Sequence, residues 1–245
     1  MACRLQLAIA ALGCVGCAAA APSYNASVAR TLALYASATQ CNASALAAWD
    51  CPACLAANAA FEVSRIVYDA PTDSLAVVGW DAALPAVLVV FRATMTASLV
   101  DWLEDFALWQ TGFAGAPGCP AGAACAVHAG FDAVFGALSG EVLAAAAAAA
   151  GAHPGAGVLV AGHSLGGALA TLGGGALAAS GAAPVEGVYT FGSPRVGNAA
   201  FALHYYDALL GNVTWRVTHA LDAVPQFPPR CALPARRPVN YPCVR

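Results

Sequence analysis

Apolar and polar positions change rhythm along this chain. Between residues 63 and 92 the apolar positions come in short, β-branched runs: Val63–Tyr68, Leu75–Trp80 and Val87–Arg92. The turn signals Pro71-Thr72-Asp73 and Asp81–Pro85 part them, which predicts three consecutive antiparallel strands. Before them, Ala26–Gln40 reads as a helix leading into a cysteine knot, Cys41–Cys54. After them, Leu99, Trp102, Leu103 and Phe106 recur at 3/4 spacing with Asp101, Glu104 and Asp105 between, the pattern of an amphipathic helix over Ser98–Trp109. A cysteine-bracketed loop follows, then a long helix from Gly130 to Ala150 whose Ala144–Ala150 run is strongly helix-forming. From there strand and helix alternate: Val158–Ala161, Gly166–Ser180, Gly187–Phe191, Asn198–Leu210 and Val213–His219. Such βαβαβ alternation implies parallel strands and an α/β fold. Beyond Asp222 the chain turns Pro/Arg-rich and loses its pattern. No linker or internal repeat divides it.

The strand-to-helix junction at Gly162-His163-Ser164-Leu165-Gly166 carries a G-x-S-x-G pattern. In that setting the pattern predicts a nucleophile elbow: a sharp turn that lifts the Ser164 hydroxyl above the sheet. It also puts the Leu165 N–H at a helix N-terminus, where a developing oxyanion is stabilised. A serine hydrolase is the chemistry these residue types suit. A serine nucleophile needs a base, and the base needs an orienting acid. In an α/β-hydrolase the acid follows the serine. Asp222, just after the strand Val213–His219, lies where a parallel sheet presents functional groups. Asp207, inside a helical run, and Glu186, ahead of a strand, fit less well.

Composition narrows the class. At 245 residues the chain suits one domain, with 60 % hydrophobic residues, much of it alanine. Every basic residue is arginine, and the net charge of −3 with no basic cluster argues against nucleic acid. Residues 1–21 read as a secretory signal peptide, with Arg4, an apolar Leu5–Leu12 region and small residues Ala18–Ala21; a short anchor is the other reading. Residues 22–245 then form the domain. The apolar run Leu165–Ala179 is broken by glycines and reads as a buried helix rather than a membrane span. Sequons at Asn25, Asn42 and Asn212 fit a secreted, extracellular chain. Seven cysteines remain after the leader: Cys41, Cys51, Cys54, Cys119, Cys125, Cys231 and Cys243. In an oxidising compartment they predict disulfides, Cys119–Cys125 among them, with one thiol left over. Cys51-x-x-Cys54 reads as structural, because no second CxxC or His pair completes a zinc site. No metal or cofactor is expected.

Six ordered blocks resemble the class 3, or fungal-type, lipases of the α/β-hydrolase superfamily. Val89–Thr94 resembles that family's FRG[ST] segment, Asp101-Trp102 its acidic/polar-Trp pair, and Val127–Phe131 its VHxGF. Gly162–Gly167 matches GHSLGG, Thr190–Asn198 is similar to [TS][FY]G[SA]PRVGN, and Arg216–Pro225 with Pro228-Pro229 to RxTHxxDxVPxLPP. The resemblance implies an α/β-hydrolase with a mixed, mostly parallel sheet and helices on both faces. It implies Ser164 as nucleophile, Asp222 as acid, and the Thr94 and Leu165 N–H groups as the oxyanion hole. It also implies a lid over about Ser98–Phe106, for which a core-packing helix is the rival reading. His163 would pack beside the elbow, Arg195 would hold neighbouring loops, and His128 would lie near the cleft without a catalytic part. Ala93 stands where the family has glycine. The expected substrate is a lipid ester, probed at a lipid–water interface; a soluble feruloyl-type esterase would carry the same motifs.

One expected part is absent. The resemblance places the triad histidine after Asp222, yet residues 223–245 hold none; His128, His153, His163, His204 and His219 all precede it. Three readings follow: a C-terminally truncated enzyme, which the odd cysteine and patternless tail favour; a lipase-fold protein that binds without turnover; or a substitute histidine.

Overall fold

The computed structural model describes residues 23–92, 110–112 and 125–227. The expectations for the leader, Ala93, Thr94, the Asp101-Trp102 pair, the lid segment, Cys119, the paired prolines, Cys231 and Cys243 fall outside those residues.

Three short helices open the described chain: α1 (Ala26–Ala38), α2 (Ala43–Ala48) and α3 (Pro52–Asn58). Asn25 starts α1 by accepting the Ser27 and Val28 amides, and Asn42 starts α2 by accepting that of Ala45. The stretch Cys41–Cys54, expected as a cysteine knot, is thus largely helical. Strands β1 (Glu62–Asp69), β2 (Ser74–Asp81) and β3 (Ala86–Phe91) follow as an antiparallel meander, as their turn signals require. From β3 onward the sheet is parallel: β6 (Gly157–His163), β7 (Val185–Phe191) and β8 (Thr214–Val217) complete the order β1-β2-β3-β6-β7-β8. A separate antiparallel pair joins β4 (Gln110–Gly112) to β5 (Ala126–His128). The helices α4 (Ala129–Ala152), α5 (Leu165–Ser180) and α6 (Ala199–His204) complete the set. The helix expected through Leu210 changes at Tyr205 into one turn of π-helix, Tyr205–Leu209.

The central strands show why they read as apolar runs: both their faces are covered. On β3, Val87, Val89 and Phe91 face a core built with α4 and α5, while Ala86, Leu88 and Val90 face one built with α1–α3. On β6, Val158 and Val160 join the first core, Leu159 and Ala161 the second. The period of two therefore sorts one run of small apolar residues into two cores. Helix α4 is 24 residues long and apolar enough to cross a membrane by length and composition. Here Phe131, Val134, Phe135, Leu138 and Val142 lay one side of it on the sheet.

The second core is aromatic. Tyr35 stacks on Trp49 at 5.6 Å and meets Phe61 edge-on at 4.9 Å between ring centroids. Its hydroxyl donates to Asp81 Oδ2 at 2.6 Å, and Asp81 is fully buried at the end of β2. Asn58 Nδ2 and the Ala83 and Leu84 amides donate to the other oxygen. A buried carboxylate needs such donors, and they fasten α1 and α3 to the sheet. Burial, reinforced by the neighbouring Asp81 carboxylate, pushes the Tyr35 hydroxyl up from its ordinary value.

Tyr35→Phe is expected to lower the unfolding free energy by about 1–3 kcal/mol, because Asp81 loses one donor with no water to replace it. Urea denaturation with an unchanged m-value checks this; a loss under about 0.5 kcal/mol would show the bond to be idle.

Candidate active site

Three parallel strands, β3, β6 and β7, bring their C-terminal ends to one edge of the sheet, and β8 ends beside them. Ser164 follows β6 directly and takes φ +53°, ψ −122°, a conformation a non-glycine residue adopts only under constraint. The constraint is steric. A Cβ on Gly162 would strike the Gly166 carbonyl, and one on Gly166 would strike the carbonyl of Phe91 at the end of β3. The chain therefore turns from strand to helix within one residue, backbone against backbone. The Ser164 amide donates to the carbonyl of Phe191, the last residue of β7, at 2.9 Å.

This turn also frees the hydroxyl. Ser164 stands at the N-cap of α5, yet its side chain caps nothing. Its Oγ is buried and has no hydrogen-bond partner among the described residues. Leu165 is the first residue of α5, and the first amides of a helix have no acceptor within it. A fully buried N–H donor thus stands next to a buried, unpartnered hydroxyl.

Asp222 arrives from the other side of β7. Its Oδ1 accepts the Val224 amide at 3.0 Å, and its own amide donates to His219 O at 3.0 Å. Its Oδ2 lies over Gly192, the first residue past β7, which has φ +56°. A Cβ there would sit 2.7 Å from that oxygen and 3.6 Å from His163 Nε2. Gly192 is therefore glycine for its backbone angle and for the carboxylate above it. His163 and Asp222 flank the same small gap; as expected, His163 lies beside the elbow.

Two arginines hold the acid's loop. Arg216 Nη2 donates to Ser193 O at 2.5 Å and to Pro225 O at 2.9 Å, tying the loop after β7 to the one carrying Asp222. Arg195 donates to the Gln226 carbonyl and to Gln226 Oε1, and its amide to Phe227 O at 2.7 Å. Arg195 thus holds neighbouring loops, as the resemblance implied. Arg216 and Gly192 were not singled out from sequence, although both lie inside the quoted blocks. On the far side of the elbow, Arg92 ends β3 by donating to the carbonyl and carboxylate of Asp73 at 2.7 and 2.6 Å. It anchors the chain just before Thr94.

The histidines divide by place. His128 is buried at the N-cap of α4, its Nδ1 accepting the Gly130 amide at 3.2 Å, and its amide donates to Val196 O at 2.9 Å. Two sequence blocks, Val127–Phe131 and Thr190–Asn198, are joined there. His153 stacks on Trp80 at 4.0 Å, His204 is buried at the end of α6, and the His219 side chain is exposed. None hydrogen-bonds Ser164.

Burial lowers the His128 imidazole to about 4. Unfolded, the same group titrates near 6.5. Below that pH the unfolded chain takes up a proton that the folded one refuses, so stability present above pH 6.5 is lost as pH falls toward 4. The expected loss between pH 7 and 4.5 is about 2–3 kcal/mol, and His128→Asn, which keeps a capping oxygen, removes that part of the slope. Urea titrations at both pH values measure it.

Residues 88–231 match the family described as Lipase (class 3). The chain is 36 % identical over 154 residues to the secreted mono- and diacylglycerol lipase 1 of Fusarium solani, covering 63 % of this chain and 43 % of that protein. It is 32 % identical over 157 residues to the secreted mono- and diacylglycerol lipase A of Penicillium cyclopium, covering 64 % and 48 %. The matched region is thus less than half of either relative. In three dimensions it resembles lipase II of Rhizopus niveus with a TM-score of 0.73 and 26 % identity, over 83 % of this chain and 75 % of that one.

Proposed function

The chain belongs to the class 3 lipase family and has its α/β-hydrolase fold, and from that premise we propose that it serves as a secreted serine hydrolase of lipid esters, acylglycerols foremost. The observation that carries the reading is the Ser164 hydroxyl: buried, unpartnered, and lifted by a strained turn beside a helix's first amide. In this reading Ser164 attacks the ester carbonyl and takes the acyl group. The amides of Leu165 and Thr94 hold the oxyanion, which is worth about 10²–10³ in rate per donor. Asp222 Oδ2 accepts the N–H of the imidazole that takes the serine proton. Secreted mono- and diacylglycerol lipases among the relatives support both the substrate class and the extracellular location.

An imidazole must lie between Ser164 and Asp222 for turnover, and none of this chain's histidines bonds the serine. Free imidazole in the buffer is therefore the useful variable. An alkyl fluorophosphonate is expected to label Ser164, with imidazole raising the rate at least about tenfold, since a positioned base contributes about 10²–10⁴. Ser164→Ala removes the label. No labelling with or without imidazole would overturn the acyl-enzyme and leave a fold that binds lipid without turnover. Equal rates on emulsified and dissolved esters would favour a soluble esterase over a lipase.

Gly192→Ala tests the acid's place. The added methyl meets Asp222 Oδ2, so imidazole-assisted labelling is expected to fall about tenfold or more while far-UV circular dichroism stays unchanged.

A further inference from the structure

Two of the three sequons lie toward the end of the sheet opposite the elbow. Tyr35, near the end of α1, bonds Asp81, which pairs with Ala86, the first residue of β3; Ala86 pairs in turn with Gly157, the first of β6. Asn42 follows α1 on that side and caps α2. On the other flank, Asn212 stands in the helical turn Gly211–Val213 that leads into β8, whereas Asp222 comes after that strand. The strands therefore separate both asparagines from the ends that carry Ser164 and Asp222. Asn25 opens α1 beside Tyr24 and Tyr189, nearer the elbow, and stands apart from this pair.

Local geometry leaves the right atom free at both positions. Asn42 is exposed, and its Oδ1 accepts the Ala45 amide at 2.9 Å and the Ser44 hydroxyl at 2.7 Å. An amide carries its nitrogen on the side away from its oxygen, so Nδ2 is turned off the helix. A sugar there replaces one hydrogen on Nδ2 and leaves Oδ1 on its cap. Asn212 is exposed as well, while Thr214, the last residue of its sequon, is half-buried and donates its hydroxyl to Leu210 O at 2.8 Å.

We propose that Asn42 and Asn212 carry N-linked oligosaccharides that clothe the pole opposite the elbow and leave the other pole bare for a lipid surface. The proposal rests on the secreted, lipid-ester reading given above. The donor is an oligosaccharide on a lipid diphosphate, supplied by a eukaryotic secretory pathway. Nδ2 attacks C1 of the first sugar, and the N–C1 bond forms. The C1–O bond to phosphate breaks, its electron pair leaves on the lipid diphosphate, and Nδ2 gives one proton to a base. N-linked sugars are bulky and hydrated, so the clothed pole stays in water and the molecule meets an interface by its other end.

The experiment uses the whole chain as secreted by a eukaryotic cell. Peptide N-glycosidase in heavy-oxygen water converts each glycosylated asparagine to an aspartate that carries the isotope. Cleavage at arginine puts Asn42 on the peptide Thr31–Arg65 and Asn212 on Val196–Arg216. The isotope is expected at both, with Asn198, outside any sequon on the second peptide, unchanged. Ser44→Ala keeps the Asn42 cap and should lose the first label alone; Asn212→Gln should lose the second alone. An unmodified asparagine at 42 or 212 in most chains would overturn the proposal. Orientation is read on Ser27→Ala protein, which drops the third sequon but keeps the Asn25 cap on backbone amides. Concanavalin A should bind it equally in solution and adsorbed on an acylglycerol emulsion, and loss of lectin binding on adsorption would overturn the orientation. Fluorophosphonate labelling of the same sample keeps the two readings apart. A labelled Ser164 with bare asparagines would sink the sugars alone, and modified asparagines with an unlabelled serine would sink the hydrolase alone.

Discussion

The passage from β6 to α5 through a single residue governs this structure. Three backbones converge there, and no side chain fits between them: Gly162 lies against the Gly166 carbonyl, and Gly166 against that of Phe91. The helix consequently starts on the sheet rather than above it. Farther along α5 the spacing stays tight, so that a Cβ on Gly173 would come within 2.8 Å of the Phe91 ring, and one on Gly174 within 2.7 Å of Val188. The small residues of α5 and the φ +53° of Ser164 are consequences of the same geometry. So is the orphaned hydroxyl, which a normal N-cap serine would have spent on an amide.

Asp222 is held by different means. Where Ser164 is fixed by contact between backbones, the loop carrying Asp222 is fixed by hydrogen bonds from charged side chains to carbonyls. Arg216 bridges Ser193 O and Pro225 O, and Arg195 closes on Gln226. A guanidinium presents several donors in a rigid fork, so each arginine registers two loops at once. The two halves of the site therefore answer to different stresses. Added volume disturbs Ser164, and loss of a cation disturbs Asp222.

Sequence showed the sheet well because each strand's pattern states its own surroundings. The runs Val87–Phe91 and Val158–Ala161 are apolar at every position, and both faces of those strands are covered. The sharp turn at Ser164, the helix start at Leu165 and the place of Asp222 just past a strand were legible through local spacing and resemblance. The features that stayed hidden depend on partners far along the chain. The β4–β5 pairing of Gln110 with His128 is one, and the bond of Tyr35 to Asp81 another. Nothing near Tyr35 announces a buried carboxylate 46 residues on. The shift to π-helix at Tyr205 likewise follows from packing: Tyr205 is buried against Phe201, and no local breaker marks the spot. Gly192 looked like one glycine among many; its reason is a carboxylate that arrives 30 residues later.

That carboxylate gives the site a sense of direction. One oxygen of Asp222 accepts the Val224 amide, which restrains the group, and the other lies over Gly192. Any nitrogen that is to be steered by Asp222 has one azimuth of approach, past His163 on the outer rim.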